Sequence, residues 1–205
     1  NFFSLYHDDV GLVCGGGNTK LQPLWSSFSV GNTALMYHVP GDEDPDFSAR
    51  PGLHHVPDRA ELHDDALHLY YGTAECRTAV HVVNESEVEI ELSTSGGNGE
   101  PVEAHLTLVA HLGQALHGDI GICEALGEEA LDWPDPLWIA HAGWHLDLPP
   151  GARLYWPVLP HNPYRKDGAA TVEEARIVVV LPFAENCTQH TLTLRVTDHE
   201  SPRSP

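Results

Sequence analysis

Apolar and polar residues alternate with a period of two in several separate segments of this 205-residue chain. In 87–92 (EVEIEL) three acids alternate with Val88, Ile90 and Leu92, and 102–108 and 190–196 repeat the pattern. Such a period puts successive side chains on opposite faces of a strand, one face buried and one in water. Because Gly-, Pro- and Asp-rich turns separate these segments, we predict an all-β, antiparallel β-sandwich with little helix.

The remaining segments complete this prediction. Segment 175–181 is apolar on both faces and is predicted to be a central strand, and further strands are expected at 67–71, 76–83, 143–148 and 153–158. Segment 123–130 favours a turn or two of helix, interrupted at Gly127. We predict one domain over 1–205, with 1–57 as loop-rich extended segments packed on the sandwich. Short strands are expected near 26–30 and 35–38, and 198–205 is expected to be a frayed tail.

The charge balance restricts the partners. Ten Lys and Arg against 30 Asp and Glu give a formal net charge of −20. Such a surface repels nucleic acid and anionic lipid, so neither is expected as a partner, whereas a neutral ligand, a cation or another protein stays open. No apolar run has membrane-spanning length, so a soluble chain is expected, with no compartment predicted. Because Asn1 is not an initiator residue, we expect an excised or processed chain. A missing upstream domain and a second copy of the chain, forming a homo-oligomer, both stay open as partners.

Two loops carry candidate ligand-binding residues. After the glycines at 15–17, which permit close backbone approach, Asn18, Lys20 and Gln22 supply hydrogen-bond donors. Prolines stiffen the second loop, which follows the predicted strand 153–158. Its polar residues are His161, Asn162, Tyr164, Arg165 and Lys166. A rigid polar loop on a sheet scaffold is a typical place for a site. For the first loop, the alternative interpretation is a tight turn leading into a strand. For the second loop, the alternative is that Arg165 and Lys166 only offset neighbouring carboxylates.

Histidines and tryptophans provide weaker signals. The 15 histidines include His54 and His55, which with Glu61 and His63 vaguely approach a cupin metal pattern. No cofactor is predicted, and a divalent metal stays an open alternative. His105, His145 and His190 are expected on solvent faces of strands. Exposed tryptophans stack on sugar rings, but most of those in a sandwich are expected in the core.

Three stretches, Phe3 to Trp25, Tyr70-Tyr71-Gly72 and Trp156-Pro157 through Tyr164, resemble the C-terminal β-sandwich region of heparinase II/III-like proteins. The resemblance implies a supersandwich-like fold and a connection to proteins that cleave or bind acidic polysaccharides. That family also has a helical toroid, which this chain lacks. The net charge suits a uronate polymer badly unless Lys20, Arg165 and Lys166 form a local basic patch. No catalytic residue is transferred from the family.

The leading hypothesis is a carbohydrate-associated β-sandwich, the accessory part of a polysaccharide-processing protein. A second hypothesis is a lyase- or epimerase-like sugar enzyme. In it His161 is the catalytic base, and Arg165 or Lys166 neutralises a substrate carboxylate. A structural or assembly module without a ligand and a cupin-like metal-binding protein are the remaining alternatives. The sequence does not decide whether the chain is an enzyme.

Overall fold

A computed structural model describes residues 3–15, 27–31, 53–54, 57–160, 162, 164–166 and 168–197. The strands are β1 Leu5–His7, β2 Gly11–Cys14, β3 Ser27–Gly31, β4 Leu53–His54, β5 Arg59–His63, β6 Ala66–Tyr71, β7 Ala74–Asn84, β8 Glu87–Gly96, β9 Val102–Val109, β10 Leu116–Gly118, β11 Gly121–Cys123, β12 Leu131–Pro134, β13 Trp138–His141, β14 Trp144–Asp147, β15 Arg153–Val158, β16 Arg176–Phe183 and β17 Gln189–Val196. Two single 3-10 turns, Gly97–Gly99 and Val172–Glu174, are the only helical elements of these residues. The all-β prediction is therefore confirmed.

The described strands form two antiparallel sheets. The eight-stranded sheet has the order β1-β2-β9-β16-β15-β12, with β3 pairing both β9 and β4. The nine-stranded sheet has the order β11-β10-β13-β14-β17-β8-β7-β6-β5. In the first sheet β2 and β3 lie end to end along one edge of β9, at Leu108 and at 102–105 respectively. In the second, β17 joins two local groups of strands, because it pairs with β8 on one side and β14 on the other.

The inner faces of the two sheets meet in one apolar core. Leu69, Ile90 and Leu146 of the nine-stranded sheet pack in the same cluster as Leu106 and Ile177 of the eight-stranded sheet. Each of these side chains is at most 1 % exposed, so the sandwich interior excludes water. The alternation over 87–92 and 102–108 therefore identified the inward faces correctly.

Strand β16 is central, as its apolar character predicted, because it pairs with β9 and β15. Ile177 and Val179 face the core, but Val178 and Val180 on the outer face are buried as well. Ser29 and Thr107, on the same outer face, are also buried. Both faces of the middle of this sheet are thus inaccessible to solvent.

Two predictions about local structure need correction or limits. Segment 123–130 forms bends rather than a helical turn. The Leu126 side chain is buried, and its backbone accepts a hydrogen bond from the Gly113 N–H and donates one to the Gln114 carbonyl. The strand expected near 26–30 is β3, whereas 35–38 and the tail 198–205 lie outside the described residues. Within the described residues no helix is both long and apolar enough to span a bilayer.

One turn shows why glycine is required. Gly96 ends β8 with a φ of +79°, which side-chain-bearing residues rarely adopt, and an added Cβ would collide with the Thr73 carbonyl oxygen. Gly72, in the turn before β7, also has a positive φ of +58°, but a Cβ there would meet open space. Conformation alone explains Gly72, whereas Gly96 is required by both conformation and space.

All four cysteines are free thiols. Cys14 and Cys76 are buried, and Cys123 and Cys187 are partly exposed. Burial raises the pKa of the Cys76 thiol to about 12, although its hydrogen bond with Thr94 acts in the opposite direction. A buried thiol that stays protonated is a packing group rather than a nucleophile.

Candidate functional site

The loop after β15 is held in one conformation by Asn162. Its backbone N–H donates to the Gly168 carbonyl (2.8 Å), and its side-chain oxygen accepts the N–H of Tyr164 (2.9 Å). Its amide nitrogen donates to Glu174 Oε1 (2.6 Å), in the 3-10 turn that precedes β16. Because Asn162 makes all these bonds within the protein, it supports the loop, and a direct ligand contact by its side chain stays a prediction.

The tip of this loop presents three of the predicted residues to solvent. Tyr164 is 89 % exposed, and Arg165 and Lys166 are exposed beside it. These three residues are consecutive in the chain, and their proposed contacts with a ligand stay predictions. His161 and the earlier group Asn18, Lys20 and Gln22 lie outside the described residues, so their roles stay predictions.

The expectation that three histidines lie on solvent faces is wrong for two of them. His190 is 5 % exposed, because it has the same strand parity as the inward-facing Leu192. His105 faces outward from the eight-stranded sheet but is 3 % exposed, since that face is itself buried. His145 does lie on the open outer face of the nine-stranded sheet, with its side chain 28 % exposed.

Hydrogen bonds determine the tautomer of the buried His190. Its Nε2 lies 3.0 Å from the Pro182 carbonyl oxygen and must donate a proton, so Nδ1 is the unprotonated nitrogen, 3.9 Å from Cys187 Sγ. Burial lowers the pKa of His190, although the bond to Pro182 partly opposes that effect. A neutral, buried imidazole of this kind is a structural group.

The four tryptophans that the structure describes divide into a buried pair and a partly exposed pair. Trp144 and Trp156 are 2 % exposed and belong to the core, and Trp156 Nε1 donates to the Gly127 carbonyl (2.9 Å). Trp133 and Trp138 are only partly buried. Trp133 packs against Gly118 and Gly121, so it covers the sheet edge at β10 and β11. Trp138 is therefore the indole that the structure places on an open sheet face.

Four partly exposed side chains contact one another on that face, and we call them the Trp138 platform: Trp138, His145, Asp147 and Arg195. The His145 ring stacks on the Trp138 indole, with centroids 5.2 Å apart and an interplanar angle of 17°. His145 Nε2 lies 2.9 Å from Asp147 Oδ1, and Arg195 pairs with the other oxygen of Asp147. The pairing of β13 with β14 and of β14 with β17 fixes their spacing.

Ion pairing holds the polar half of the platform in its charged state. Burial raises the pKa of Asp147, but hydrogen bonds and charge from Arg195 and His145 lower it further than burial raises it. Hydrogen bonds to Asp147 and to Glu87, at 2.7 Å, raise the pKa of Arg195. A general acid needs a raised carboxyl pKa, so Asp147 is suited to accept a hydrogen bond rather than to donate a proton.

The sequence offered one signal for this platform that the periodicity analysis did not use. Ala142 and Gly143 both have positive φ, which is the two-residue turn of a tight β-hairpin. This turn joins two short strands whose outward residues lie opposite each other, and Trp138 pairs with Asp147. The glycine in His-Ala-Gly-Trp at 141–144 is the sequence signal for such a turn. Arg195 joins them from a strand about 50 residues later, which no local pattern reveals.

The metal alternative finds no ligand set in the described part of the chain. No group of three or more His, Cys, Asp or Glu side chains there could hold a metal ion. Glu61 and His63 of the cupin-like pattern contact each other at 3.3 Å, and the His63 ring lies 6.0 Å from that of His68. His55 lies outside the described residues, so this set is described only in part.

No protein-family model and no curated protein matches the chain. Among solved structures, it is similar to a GH31 family sulfoquinovosidase from E. rectale, with a TM-score of 0.47 and 7 % identity over 95 % of this chain and 31 % of that one. It is also similar to a 4-alpha-glucanotransferase from Thermococcus litoralis, with a TM-score of 0.43 and 10 % identity over 88 % and 30 % of the two chains. The chain thus spans less than a third of either enzyme. At these TM-scores the likeness assigns neither a family nor an activity, and neither structure is a heparinase II/III-like protein.

Proposed function

We propose that the chain is an accessory carbohydrate-binding β-sandwich of a polysaccharide-processing protein. The observation that carries this proposal is the Trp138 platform, a partly exposed indole on a sheet face, with His145 stacked on one side of the ring and paired charged groups beside it. The apolar face of a sugar ring stacks on such an indole, and its hydroxyl groups bond to carboxylate and guanidinium groups.

The platform is suited to binding because its side chains are already positioned. Sheet pairing fixes the backbone, and the ion pairs restrain the long Arg195 side chain before any ligand arrives. Less conformational entropy is then lost on binding than for a flexible loop. An open face with one aromatic group supports a modest affinity, with a binding free energy of about −4 to −5.5 kcal/mol, or a Kd of about 0.1–1 mM.

Charge favours a neutral glycan as the ligand. The chain carries a net charge of −20, and the platform offers one cation that is already paired with two carboxylates, Asp147 and Glu87. A uronate polymer would meet repulsion at long range and no free counter-charge at the platform. The exposed tip of the loop, with Tyr164, Arg165 and Lys166, is a second proposed contact surface.

Affinity electrophoresis against neutral and acidic polysaccharides tests the proposal. We expect at least one neutral glycan to retard the chain, and Trp138→Ala to weaken the retention about tenfold. Trp138→Phe, which keeps a smaller aromatic face, should retain an intermediate affinity. Tyr6→Ala is the matched control, because Tyr6 is 69 % exposed but lies on β1, in the other sheet.

The outcomes separate the two surfaces. Loss of binding in Trp138→Ala with a native thermal transition assigns the ligand to the platform. Loss in Tyr164→Ala alone assigns it to the loop instead. Equal migration of the wild-type chain in every polysaccharide would refute the carbohydrate proposal.

A further inference from the structure

A cleft with a volume of about 280 Å³ opens at one end of the sandwich, and we call it the end cleft. Strand β1 and Val13 of β2 form one wall. The opposite wall is the turn between β7 and β8, with the ends of those strands and of β17. The end cleft thus lies where the two sheets separate. Nothing in the proposed carbohydrate function requires it.

The floor of the end cleft is an extension of the core. Val13 and Leu194 are buried, and Leu5 and Val88 pack against the core cluster. At the rim, Tyr6 is 69 % exposed and Val82 is 77 % exposed. Apolar surface that stays accessible beside a concave apolar floor favours a ligand with an apolar body.

The polar lining of the end cleft is acidic. Among the described residues that line it, Glu85 and Glu87 are the charged carboxylates and none is a Lys or Arg. Glu87 accepts a hydrogen bond from Arg195 Nε at 2.7 Å, whereas Glu85 is exposed in the turn. His7 accepts the backbone N–H of Asp9 at 3.2 Å, which leaves its other ring nitrogen as a donor when the ring is neutral.

We propose that the end cleft binds a small organic cation with an apolar body, such as an aromatic or aliphatic amine. The apolar body would lie on the floor formed by Val13, Val88 and Leu194, and the ammonium group would lie near Glu85. The Tyr6 ring, at the rim, can contribute a cation–π contact. A volume of about 280 Å³ is at the small end of the range for ligand pockets, so one ring system with a short arm fits better than an oligomer.

The net charge strengthens this choice of ligand. A total of −20 produces a negative potential that attracts cations and repels anions before contact. The apolar floor alone would not discriminate between a cation, a neutral molecule and an anion of the same shape. The proposal therefore predicts that ligands of the same shape bind with different affinities according to their charge.

Three indole probes of matched shape test it, namely tryptamine as the cation, tryptophol as the neutral molecule and indole-3-acetate as the anion. Each is titrated into the ¹⁵N-labelled full chain, with amide chemical shifts used to locate the site and to obtain Kd. We expect affinity to fall in the order tryptamine, tryptophol, indole-3-acetate, with at least about a tenfold gap between cation and anion. Raising ionic strength from about 0.01 M to about 1 M should close most of that gap.

Single substitutions identify the residues responsible. Glu85→Gln should weaken tryptamine binding about two- to fivefold and leave tryptophol binding unchanged, because it removes one exposed carboxylate. Glu100→Gln is the matched control, since Glu100 is an exposed acid that does not line the cleft. Tyr6→Ala should weaken all three probes, and tryptamine most.

Several results would overturn the proposal. They are equal affinity for the three probes, amide shifts that map away from the residues lining the end cleft on β1, β2, β17 and the β7–β8 turn, an equal effect of Glu85→Gln and Glu100→Gln, or no saturable binding of tryptamine. None of these results bears on polysaccharide retention by the Trp138 platform. The failure of one proposal is therefore distinguishable from the failure of the other.

Discussion

The buried His190 makes a quantitative prediction for the pH dependence of stability. In the folded chain, burial lowers the pKa of this imidazole, and its Nε2–H is committed to the Pro182 carbonyl. In the unfolded chain the same side chain titrates near its ordinary pKa of about 6.5. As pH falls below that value, the unfolded state binds a proton that the folded state does not bind, so stability decreases.

The magnitude follows from proton linkage. Above about pH 6.5 the histidine is neutral in both states, and its full contribution to stability is present. Below that pH the loss approaches about 1.4 kcal/mol per pH unit, for one proton, and stops at the lowered pKa of the folded state. His141 contributes a second loss of stability on acidification, because burial lowers its pKa as well. Its hydrogen bond to the Ala115 carbonyl acts against that lowering.

The variant His190→Gln isolates the first contribution. Glutamine can place an amide N–H near the position of Nε2, so the bond to Pro182 is reproducible without a titrating group. Urea unfolding followed by tryptophan fluorescence gives the free energy of unfolding at each pH. At about pH 8 both side chains are neutral, so the difference in the free energy of unfolding between variant and wild type reports only how the substitution changes packing and hydrogen bonding.

On acidification from about pH 6.5 to about pH 5.5, we expect the wild type to lose more stability than the variant, with proton linkage limiting the difference to at most about 1 kcal/mol. His141 is present in both proteins, so its contribution cancels in the comparison. Parallel curves over this range would show that the folded chain protonates His190 as readily as the unfolded chain. The reasoning from burial would then be wrong.

Three further predictions concern packing, turns and thiols. Leu106→Ala should reduce the free energy of unfolding by about 2–5 kcal/mol in urea denaturation, because the side chain is 1 % exposed at the centre of the core. Gly96→Ala should lower the melting temperature more than Gly72→Ala. Both substitutions place alanine at a positive φ, which costs about 1–2 kcal/mol, but only the first brings a Cβ into collision with the Thr73 carbonyl oxygen. Comparable melting temperatures would contradict the clash. With Ellman's reagent the native chain should react at Cys123 and Cys187 only, and rapid labelling of all four thiols without denaturant would contradict the burial of the other two.

The long strands were predictable because each is a sustained pattern of burial. Segments 87–92, 102–108 and 190–196 lie within β8, β9 and β17, where apolar and polar residue types alternate in the sequence over five or more positions. Strands β10 to β13 have only three or four residues each, too few for a period to stand out from chance.

Candidate sites were harder to predict than strands because they depend on contacts between distant segments. The loop with Tyr164 and Arg165 is contiguous in sequence, so composition alone was enough to propose it as a candidate. The Trp138 platform combines β13, β14 and β17, and only strand pairing brings Arg195 to Asp147. Similarly, parity should have placed His190 in the core, but no parity rule explains the burial of His105, because it depends on how an outer sheet face is covered.

The position of β17 between β8 and β14 has a consequence for how the chain can be assembled. Strands β5 to β8 pair with their sequence neighbours, as do β10 with β11 and β13 with β14. Strand β10 also pairs with β13, with only β11 and β12 between them in the chain, so each group can form from contacts over short stretches of chain. The two groups become one sheet only when the last described strand inserts between them. During synthesis, each group therefore has an unpaired edge strand until β17 is available to pair with it. Loss of β17 would divide this sheet into two parts rather than shorten it at one edge.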